Sequence, residues 1–589
     1  MENRMENKMQ LCKNLIEKFG ITTFEQLNKG WSADKKYIIE TADGKKQLLR
    51  IANIKGHDRK KHEFEMMQRI AVLGIPMSQP IEFGVCADDG TVYQLLSWVE
   101  GEDAITALPL LSETEQYLLG IKSGEILRKI HSIPAPDNQV DWETRYNKKI
   151  NNRITANQEC ADQGLIVCGM EYMQSYVENN RHLLKGRPQC FQHGDYHVGN
   201  MLIENGKLAI IDFNRCDFGD PWEEFNRITF SGAASPHFAT GQLHGYFDGE
   251  PPEGFFELLA FYTAANYLGG LSWARMFGEE EIAFARKQFA EILSWYNNMQ
   301  ETVPSWYIND IYIQWADGIP YKLKGPYDFT FLNKYGKVFK VFDEQGSGNI
   351  AFGIESDGQS SPFFVKFAGA PIQNYFADSD GAINTQDAID RLKYSVQLYK
   401  DLEHPNLIKF LDAEEIGGGF ATIFKYSDAK GIEPLNSPNY MKFMQLPIEK
   451  KMQAFEDIVD FHIHVAAKGY VALDFYDGSI LYDYERDKVI ICDIDTYQKS
   501  PYVGDLGLMG SARYVSPEEC AKDTEMDEIT NVYTMGATAF SLFAYGNRSH
   551  DAWPLSMTMY DVAKKAINDD RVDRQQTIKQ FITEWRAAM

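Results

Sequence analysis

The chain has 589 residues, of which 44% are hydrophobic and 24% are charged, and its formal net charge at pH 7 is −25. These proportions are typical of a globular protein of roughly two to four domains with ample core. The acidity argues against non-specific binding to nucleic acid or to an anionic membrane surface, and we predict neither as a partner.

Cysteine usage and the first residues favour a cytoplasmic protein. The eight cysteines are scattered, with no Cys-x-x-Cys pair, so a reduced chain without a zinc site is the simplest interpretation. The first twenty residues are polar with a helical period and lack the apolar segment of a signal peptide. No run of about 18 apolar residues occurs, so we expect no membrane span.

In chain order, the first half begins with a helical segment and two strands joined at Asp43-Gly44, a hairpin signal. Residues 60–74 have a helical period, and residues 91–101 read as a buried strand that runs into a short linker. Residues 106–184 are mostly helical, then a loop leads to a second hairpin around Asn205-Gly206. A helical sequence pattern returns from about residue 222 to residue 298.

Beyond Pro304 the same order of elements starts again. Strands are predicted at residues 337–344, 349–356 and 362–370, followed by a helix at 385–404 and a strand at 420–427. Helical text at 447–469 leads to a loop, a hairpin and further helices. We therefore predict two domains of related fold, at residues 1–304 and 305–589.

Both halves contain two aspartates at a similar spacing. Asp195 is followed five residues later by Asn200 and then by Asp212, and Asp474 is followed five residues later by Ser479 and then by Asp493. Transfer of a γ-phosphoryl group needs a base for the acceptor hydroxyl, oxygen ligands for Mg²⁺ and cations on the phosphates. The base can be the loop aspartate. The oxygen ligands can be the residue five positions later and the aspartate that follows the next hairpin.

At these residues the first half resembles the aminoglycoside phosphotransferase family of bacterial small-molecule kinases, over roughly residues 20–300. By this resemblance Asp195 accepts the proton of the substrate hydroxyl, Asn200 and Asp212 hold Mg²⁺, and His193 supports the loop. The nucleotide-binding residues that the resemblance implies are Gly30 and Ser32 in a phosphate loop, Arg50 with its partner Glu63, and Ser97 and Val99 at the adenine hinge. Arg50 replaces the usual lysine, and a guanidinium grips phosphate with a different geometry.

The second half looks like a eukaryotic-type Ser/Thr protein kinase domain over about residues 330–589. The matching positions are Gly346 and Gly348 in a loose glycine-rich loop, Lys366 on the phosphates, Asp474 as catalytic residue, Ser479 and Asp493 as metal ligands, and Glu518 with Arg574 as a structural pair. The departures are Ala472-Leu473 before the catalytic aspartate, Ser479 for asparagine, Ile494-Asp495 after the metal aspartate, Ser395 for the lysine-pairing glutamate and Asn531 for an aspartate. A serine hydroxyl can still bind Mg²⁺, so this half is either a divergent kinase or a regulatory pseudokinase.

The combined expectation is an α+β chain of two tandem protein-kinase-like bilobal folds, each with a β-rich lobe and a helical lobe. The cofactors are ATP and Mg²⁺. The N-terminal domain is expected to phosphorylate a hydroxyl of a small molecule, and an aminoglycoside or a similar cationic compound is one candidate acceptor.

Alternative interpretations remain open. The C-terminal domain is a protein Ser/Thr kinase with a protein substrate, and the N-terminal domain is its ligand sensor; or both halves bind nucleotide or a partner without turnover. For the loop at residues 193–197 the rival hypotheses are a metallohydrolase site with His193, Asp195 and His197 as ligands, or a solvated loop without function.

Overall fold

The computed structural model describes residues 13–28, 34–86, 90–344, 347–355, 361–372, 384–435, 437–504 and 511–589. The predicted site residues Gly30, Ser32 and Gly346 lie outside the described residues. The chain divides into two units, Met1–Asn309 and Asp310–Met589.

The N-terminal unit begins with an antiparallel five-stranded sheet. Its strands are β1 (Ile21–Gln26), β2 (Lys35–Thr41), β3 (Lys46–Ala52), β4 (Pro80–Val85) and β5 (Val92–Ser97), with helices α1 (Lys13–Phe19) and α2 (His57–Ala71). The strand order across the sheet is β1-β2-β3-β5-β4. Arg50 of β3 stands opposite Lys36 of β2 and Gln94 of β5, so its side chain starts from the middle of the sheet.

Two predicted hairpins are confirmed, and their turns explain them. Gly44 has a φ of 77°, and its amide donates to the carbonyl of Thr41 at 2.8 Å. At the second hairpin Asn205 and Gly206 have φ values of 49° and 72°. Two consecutive positive φ values fit the two-residue turn whose twist matches the flanking strands.

The rest of the N-terminal unit is mainly helical. Its helices are α3 (Ala104–Ala107), α4 (Glu113–Ile130), α5 (Trp142–Asp162), α6 (Met170–Asn179), α7 (Ile228–Ala234), α8 (Pro236–Phe247), α9 (Phe255–Tyr267), α10 (Gly270–Ala274) and α11 (Glu279–Trp295). Short strands β6 (Glu102–Asp103), β8 (Met201–Glu204) and β9 (Lys207–Ile210) form one small sheet, and β7 (Cys190–Gln192) pairs with β10 (Asp217–Gly219). The loop at residues 193–197 lies at one end of the hairpin that β8 and β9 form.

Helices α4 and α8 pack at backbone distance. A Cβ atom at Gly124 would lie 2.1 Å from the carbonyl oxygen of Gln242, and one at Gly241 would lie 2.2 Å from that of Tyr117. Glycine is therefore the residue that permits this contact. Helix α4 begins with a capping box, in which the Ser112 hydroxyl accepts from the Glu115 amide and the Glu115 carboxylate accepts from the Ser112 amide.

The C-terminal unit repeats this sequence of elements. Its strands are β11 (Tyr312–Ala316), β12 (Ile319–Leu323), β13 (Lys337–Phe342), β14 (Asn349–Glu355), β15 (Phe363–Ala368), β16 (Phe410–Ile416), β17 (Gly419–Lys425), β18 (Lys430–Gly431), β19 (Tyr470–Val471), β20 (Ile480–Asp483), β21 (Lys488–Ile491), β22 (Gln498–Lys499), β23 (Tyr502–Val503) and β24 (Glu525–Met526). Its helices are α12 (Thr385–Asp401), α13 (Pro438–Met444), α14 (Ile448–Ala467), α15 (Glu528–Ala544), α16 (Met557–Ala566) and α17 (Ile578–Ala587).

The repetition extends to strand order. The second five-stranded sheet runs β13-β14-β15-β17-β16, with α12 between its third and fourth strands in the chain, as α2 is in the first unit. The small sheet β18-β20-β21 corresponds to β6-β8-β9, and the pair β19-β22 to β7-β10. The predicted recurrence of strands, helix, strands, loop and hairpin is thus present in both units, which mix α and β structure.

Two expectations from the sequence concern membrane spans and the state of the cysteines. Within the described ranges, no helix combines the length and the apolar character that a membrane crossing requires. Cys86 is disulfide-bonded, so the expectation of a fully reduced chain is wrong at this residue. The described free cysteines are Cys160, Cys168, Cys190, Cys216, Cys492 and Cys520.

Candidate active site

The loop that carries Asp195 is shaped by the glycine before it. Gly194 has a φ of 83°, and a Cβ atom there would lie 2.0 Å from the carbonyl oxygen of Arg215. Its amide donates to the Glu224 carboxylate at 2.8 Å. Both the backbone conformation and the close approach therefore exclude a side chain at this position.

His193 supports the loop, as the resemblance implies. Its Nε2 lies 3.1 Å from the carbonyl oxygen of Ile211, and the Asp195 amide donates to its Nδ1 at 3.3 Å. Burial lowers the pKa of His193, which keeps the ring neutral with the proton on Nε2. The ring thereby ties the Asp195 loop to the residue that precedes Asp212.

Asp195, Asn200 and Asp212 come together at the end of the β8–β9 hairpin. The Asn200 Nδ2 group donates to the backbone carbonyl of Asp195 at 2.9 Å and to its Oδ2 at 3.2 Å. The amide of Ile211 donates to the carbonyl of Asn200 at 3.0 Å. Because the Asn200 amine is used in this way, its amide oxygen is the atom left to hold a cation.

Two of these side chains, Asn200 and Asp212, suit Mg²⁺, which takes carboxylate and amide oxygens. Asp212 has a φ of 65°, a left-handed conformation that aspartate tolerates better than most residues. Burial alone would raise the pKa of Asp212, but the charges of Arg50 and Lys36 outweigh it and the pKa lies below its ordinary value. The carboxylate is therefore ionised at neutral pH, as a metal ligand must be.

Arg50 is the centre of a buried ionic network. Its guanidinium contacts Asp34 at 3.0 Å, Asp212 at 3.0 Å and Glu63 at 3.7 Å, and its side chain is 4% exposed. The predicted pairing with Glu63 is confirmed. Lys60, which the sequence reading missed, lies 2.6 Å from Asp34 and 2.9 Å from Glu63.

The network contains as many cations as carboxylates. Lys36 of β2, also missed from sequence, lies 3.5 Å from Asp212. Three cations, Arg50, Lys60 and Lys36, thus surround the carboxylates, and the alternation of β2 and β3 brings two of them to one face of the sheet. Lys60 lies three residues before Glu63, about one helical turn, and this spacing is the sequence signal that could have revealed it.

Cations also surround Asp195. Arg227 Nε lies 3.3 Å, His197 Nε2 3.6 Å and Arg215 Nη1 3.8 Å from its Oδ1. Burial would raise the pKa of Asp195, but the contact with His197 and the charges of Arg227 and Arg215 hold it below its usual range. Neither arginine was identified from sequence, because nothing in their spacing marks them.

The predicted hinge is partly committed to internal contacts. The Ser97 amide donates to the Gln79 carbonyl at 2.8 Å, and the Ser97 carbonyl accepts from the Ser78 hydroxyl at 2.7 Å. A contact with adenine at this strand end would therefore involve the residues that follow, which include Val99. Val99 lies outside β5 and is partly exposed.

In the C-terminal unit Lys366 meets two carboxylates. Its Nζ lies 2.6 Å from Asp493 Oδ1 and 2.6 Å from Asp495 Oδ2, and its side chain is 7% exposed. Burial would lower the pKa of Lys366, but the two carboxylates outweigh it and raise the pKa above its ordinary value. The structure thus brings Lys366 and Asp493 together, as the resemblance implies.

The second of these carboxylates replaces a missing one on helix α12. Ser395 is buried, and its hydroxyl donates to the carbonyl of Leu392 at 2.8 Å, so this position offers no partner to Lys366. Asp495, two residues after Asp493, takes that place. In the sequence, Asp495 stands out only as a departure from the usual glycine; the absence of a glutamate on helix α12 is the signal that links the two changes.

Asp474 differs from Asp195 in backbone and in charge. The left-handed residue of the second loop is Asp474 itself, with a φ of 61°. Burial and the charge of Asp493 raise its pKa to about 7, and its Oδ1 has no hydrogen-bond partner among the described residues. It lines a small, open pocket together with Ser511 and Glu519.

Three other residues that the resemblance marks in the second unit have defined surroundings. Ser479 is buried, and its hydroxyl has no hydrogen-bond partner in the described ranges, which suits a metal ligand. Asn531 accepts from the Ala472 amide at 2.7 Å, so the amide oxygen supports the loop where an aspartate was expected. Gly348 has a φ of 77° in the turn before β14.

The predicted pair of Glu518 and Arg574 is confirmed. Arg574 Nη1 and Nη2 donate to the two carboxylate oxygens of Glu518 at 2.7 and 2.9 Å. Arg574 also donates to the carbonyl of Asn568 at 2.6 Å. This two-point contact fixes the segment after residue 511 to the C-terminal helices.

Comparison with known proteins gives one family. Residues 23–256 match the model described as "Phosphotransferase enzyme family". No curated protein matches the sequence.

Several solved structures resemble this chain, at low sequence identity and low TM-score. A thermostable mutant of aminoglycoside phosphotransferase APH(4)-Ia has 18% identity and a TM-score of 0.36, and the match covers 47% of this chain and 96% of that one. The gentamicin complex of APH(2")-IIa has 16% identity and a TM-score of 0.37, over 47% of this chain and 94% of that one. Amicoumacin kinase hAmiN, in complex with AMP-PNP, Ca²⁺ and Ami, has 13% identity and a TM-score of 0.38, over 52% of this chain and 98% of that one.

The family match falls on the part of the chain that contains Arg50, Asp195, Asn200 and Asp212. Residues 23–256 match the phosphotransferase enzyme family, and the N-terminal unit is an ATP-dependent phosphotransferase with an alcohol group as acceptor.

Proposed function

We propose that the N-terminal unit transfers the γ-phosphoryl group of ATP to a hydroxyl of a small molecule, with Asp195 as the base. The observation that carries this proposal is the convergence of Asp195, Asn200 and Asp212 at one hairpin end, with Arg50 in contact with Asp212 at 3.0 Å. A base, two oxygen ligands and a buried cation are the groups that this chemistry requires.

Each side chain has a role that follows from its contacts. Asp195 receives the acceptor proton, and Arg50 binds phosphate oxygens. Asn200 and Asp212 would hold Mg²⁺, which when bound neutralises charge on the phosphates. Gly30 and Ser32 remain proposed phosphate-loop residues, and Ser97 and Val99 proposed hinge residues.

The test is ADP production by the full chain with Mg²⁺-ATP and a panel of hydroxyl compounds. Asp195→Asn keeps the shape of the side chain but removes the base, so acceptor-dependent ADP production should fall by about 10²- to 10⁴-fold. A matched control is Asp217→Asn, because Asp217 lies at the surface and pairs with Arg145. Acceptor-dependent turnover that survives in Asp195→Asn refutes the proposal.

For the C-terminal unit we propose a second kinase-like fold that binds ATP through Lys366, Ser479 and Asp493, with Asp474 as its base. The repeated strand order and the 2.6 Å contact between Lys366 and Asp493 support this. The departures at Asp495 and Ser479 favour a divergent kinase or a regulatory nucleotide-binding domain over an ordinary kinase.

Two variants separate these alternatives. If the unit is a protein kinase, incubation with γ-labelled ATP labels the chain or an added protein, and Asp474→Ala abolishes the label while Asp195→Ala keeps it. If the unit only binds nucleotide, a fluorescent ATP analogue binds to the Asp195→Ala protein and binds less to Lys366→Ala, without label transfer. Absence of both signals refutes a nucleotide site in this unit.

A further inference from the structure

The surroundings of Asp195 are electropositive although the chain as a whole is acidic. Two guanidinium groups and one imidazole approach the same carboxylate oxygen, at 3.3, 3.8 and 3.6 Å for Arg227, Arg215 and His197. The arginine side chains are 22% and 43% exposed. They therefore face a region that an acceptor at Asp195 would also enter.

The acidic residues that follow Asp212 in the chain are already paired with other groups. Asp217 pairs with Arg145, Asp220 with Arg187 and Tyr262, Glu223 with Lys149, and Glu224 accepts from the Gly194 amide. Among the described residues, Asp195 is the only carboxylate within ion-pair distance of Arg215 and Arg227. One carboxylate thus stands against two permanent positive charges.

This balance disfavours a polycationic acceptor. An amino group brought to Asp195 would lie near two like charges, and like charges at a few ångströms repel strongly where water is partly excluded. A carboxylate or phosphate group would instead receive charge-assisted hydrogen bonds from planar guanidinium groups, which suit both anions.

We propose that the acceptor of the N-terminal unit is a hydroxyl compound that carries a carboxylate or phosphate group, bound by Arg215 and Arg227. This inference rests on the proposed function of Asp195, and it replaces the aminoglycoside-like candidate. In the reaction the acceptor oxygen forms a bond to the γ-phosphorus, and its proton passes to Asp195. The bond from the γ-phosphorus to the β–γ bridging oxygen breaks, and ADP leaves.

The first experiment compares matched acceptors with the full chain and Mg²⁺-ATP. Glycerate is compared with glycerol. Gluconate and glucose 6-phosphate are each compared with glucose. Kanamycin and hygromycin B represent cationic acceptors, and all compounds are used at millimolar concentration. We expect Asp195-dependent ADP production with at least one anionic member, and none with its neutral counterpart or with the aminoglycosides. Stimulation by cationic or neutral members alone, or a silent panel, overturns the inference.

The two proposals fail in different ways. If an acceptor stimulates turnover and Asp195→Asn leaves that turnover intact, the proposed function falls. If turnover depends on Asp195 but requires a cationic or neutral acceptor, the proposed function stands and only the acceptor class is wrong.

Variants of the arginines separate an acceptor anion from the γ-phosphate, which is also negatively charged. Arg227→Gln and Arg215→Gln should each raise the KM of the anionic acceptor by about tenfold, the effect of one lost charge-assisted contact, and leave the KM of ATP unchanged. Arg275→Gln is the matched control, because Arg275 lies 3.8 Å from Glu159 in the same unit, as Arg215 does from Asp195. A fall in kcat with an unchanged acceptor KM assigns the arginines to the γ-phosphate and overturns the inference.

Discussion

Replacement of Lys366 by methionine tests the ionic cluster of the C-terminal unit. The substitution keeps much of the side-chain volume but removes the charge that lies 2.6 Å from both Asp493 and Asp495. Asp495 is 5% exposed and would be left without its cation, whereas Asp493 is 47% exposed and can regain water. Breaking a buried pair costs about 3–5 kcal/mol, and the exposure of Asp493 places the expected cost near the lower end, about 3 kcal/mol.

The cost should depend on pH in a defined direction. In the native protein Lys366 holds the pKa of Asp493 below its ordinary value, so the stability it adds is present above that value and is lost as the pH falls through it. In Lys366→Met both carboxylates take up protons more readily than in the native protein. The difference between the two proteins should therefore be fully present at neutral pH and shrink as the pH falls below about 4.

Hydrogen exchange measured by mass spectrometry gives the assay, because it reports opening of individual segments in a two-unit chain. Peptides from β15 and β21 should lose protection by the amount above, while peptides from the N-terminal unit keep theirs. The double variant Lys366→Met/Asp495→Asn removes the stranded carboxylate and should recover at least half of the loss. Protection in Lys366→Met within about 0.5 kcal/mol of the native value at pH 8 refutes the reasoning.

Three further predictions concern pH, packing and the phosphate cation. If the C-terminal unit is a protein kinase, label transfer to protein by Asp195→Asn should rise about tenfold from pH 6 to pH 8, because ionisation of Asp474 follows its pKa of about 7, whereas acceptor-dependent ADP production by Asp474→Asn should stay flat over that range; equal profiles would contradict this. Gly124→Ala should lower the free energy of unfolding of the N-terminal unit by about 1–3 kcal/mol by clash with α8, whereas Gly270→Ala, with nothing within 4 Å, should change it little, as measured by denaturant unfolding. Arg50→Met should reduce ADP production by on the order of 10²-fold, and Arg50→Lys should restore part of it in a steady-state assay; an active methionine variant would remove Arg50 from the phosphate site.

The elements near the catalytic loops could be predicted from sequence because their signals are local. Asp43-Gly44 and Asn205-Gly206 demand tight turns, so the hairpins followed directly. The spacing of Asp195, Asn200 and Asp212 implied one hairpin end, and these residues do meet there. Arg50 and Glu63 form the ion pair that their positions on a strand and the next helix suggested.

The missed residues contact the site through tertiary structure alone. Arg215 and Arg227 reach Asp195 from segments with no motif, and their identity as site residues depends on how those segments fold back. The second partner of Lys366 is Asp495, two residues after Asp493. It compensates for Ser395, which is distant in the chain and cannot supply a charge. Single-sequence patterns record the departures separately and do not join them.

The most direct test of the central claim is ADP production by the full chain with Mg²⁺-ATP and the acceptor panel, beside Asp195→Asn and the surface control Asp217→Asn. The account predicts acceptor-dependent turnover that is lost in Asp195→Asn by about 10²- to 10⁴-fold and retained in the control. Turnover that is indifferent to the acceptor and to the change at Asp195 would contradict it and would move the chemistry to Asp474.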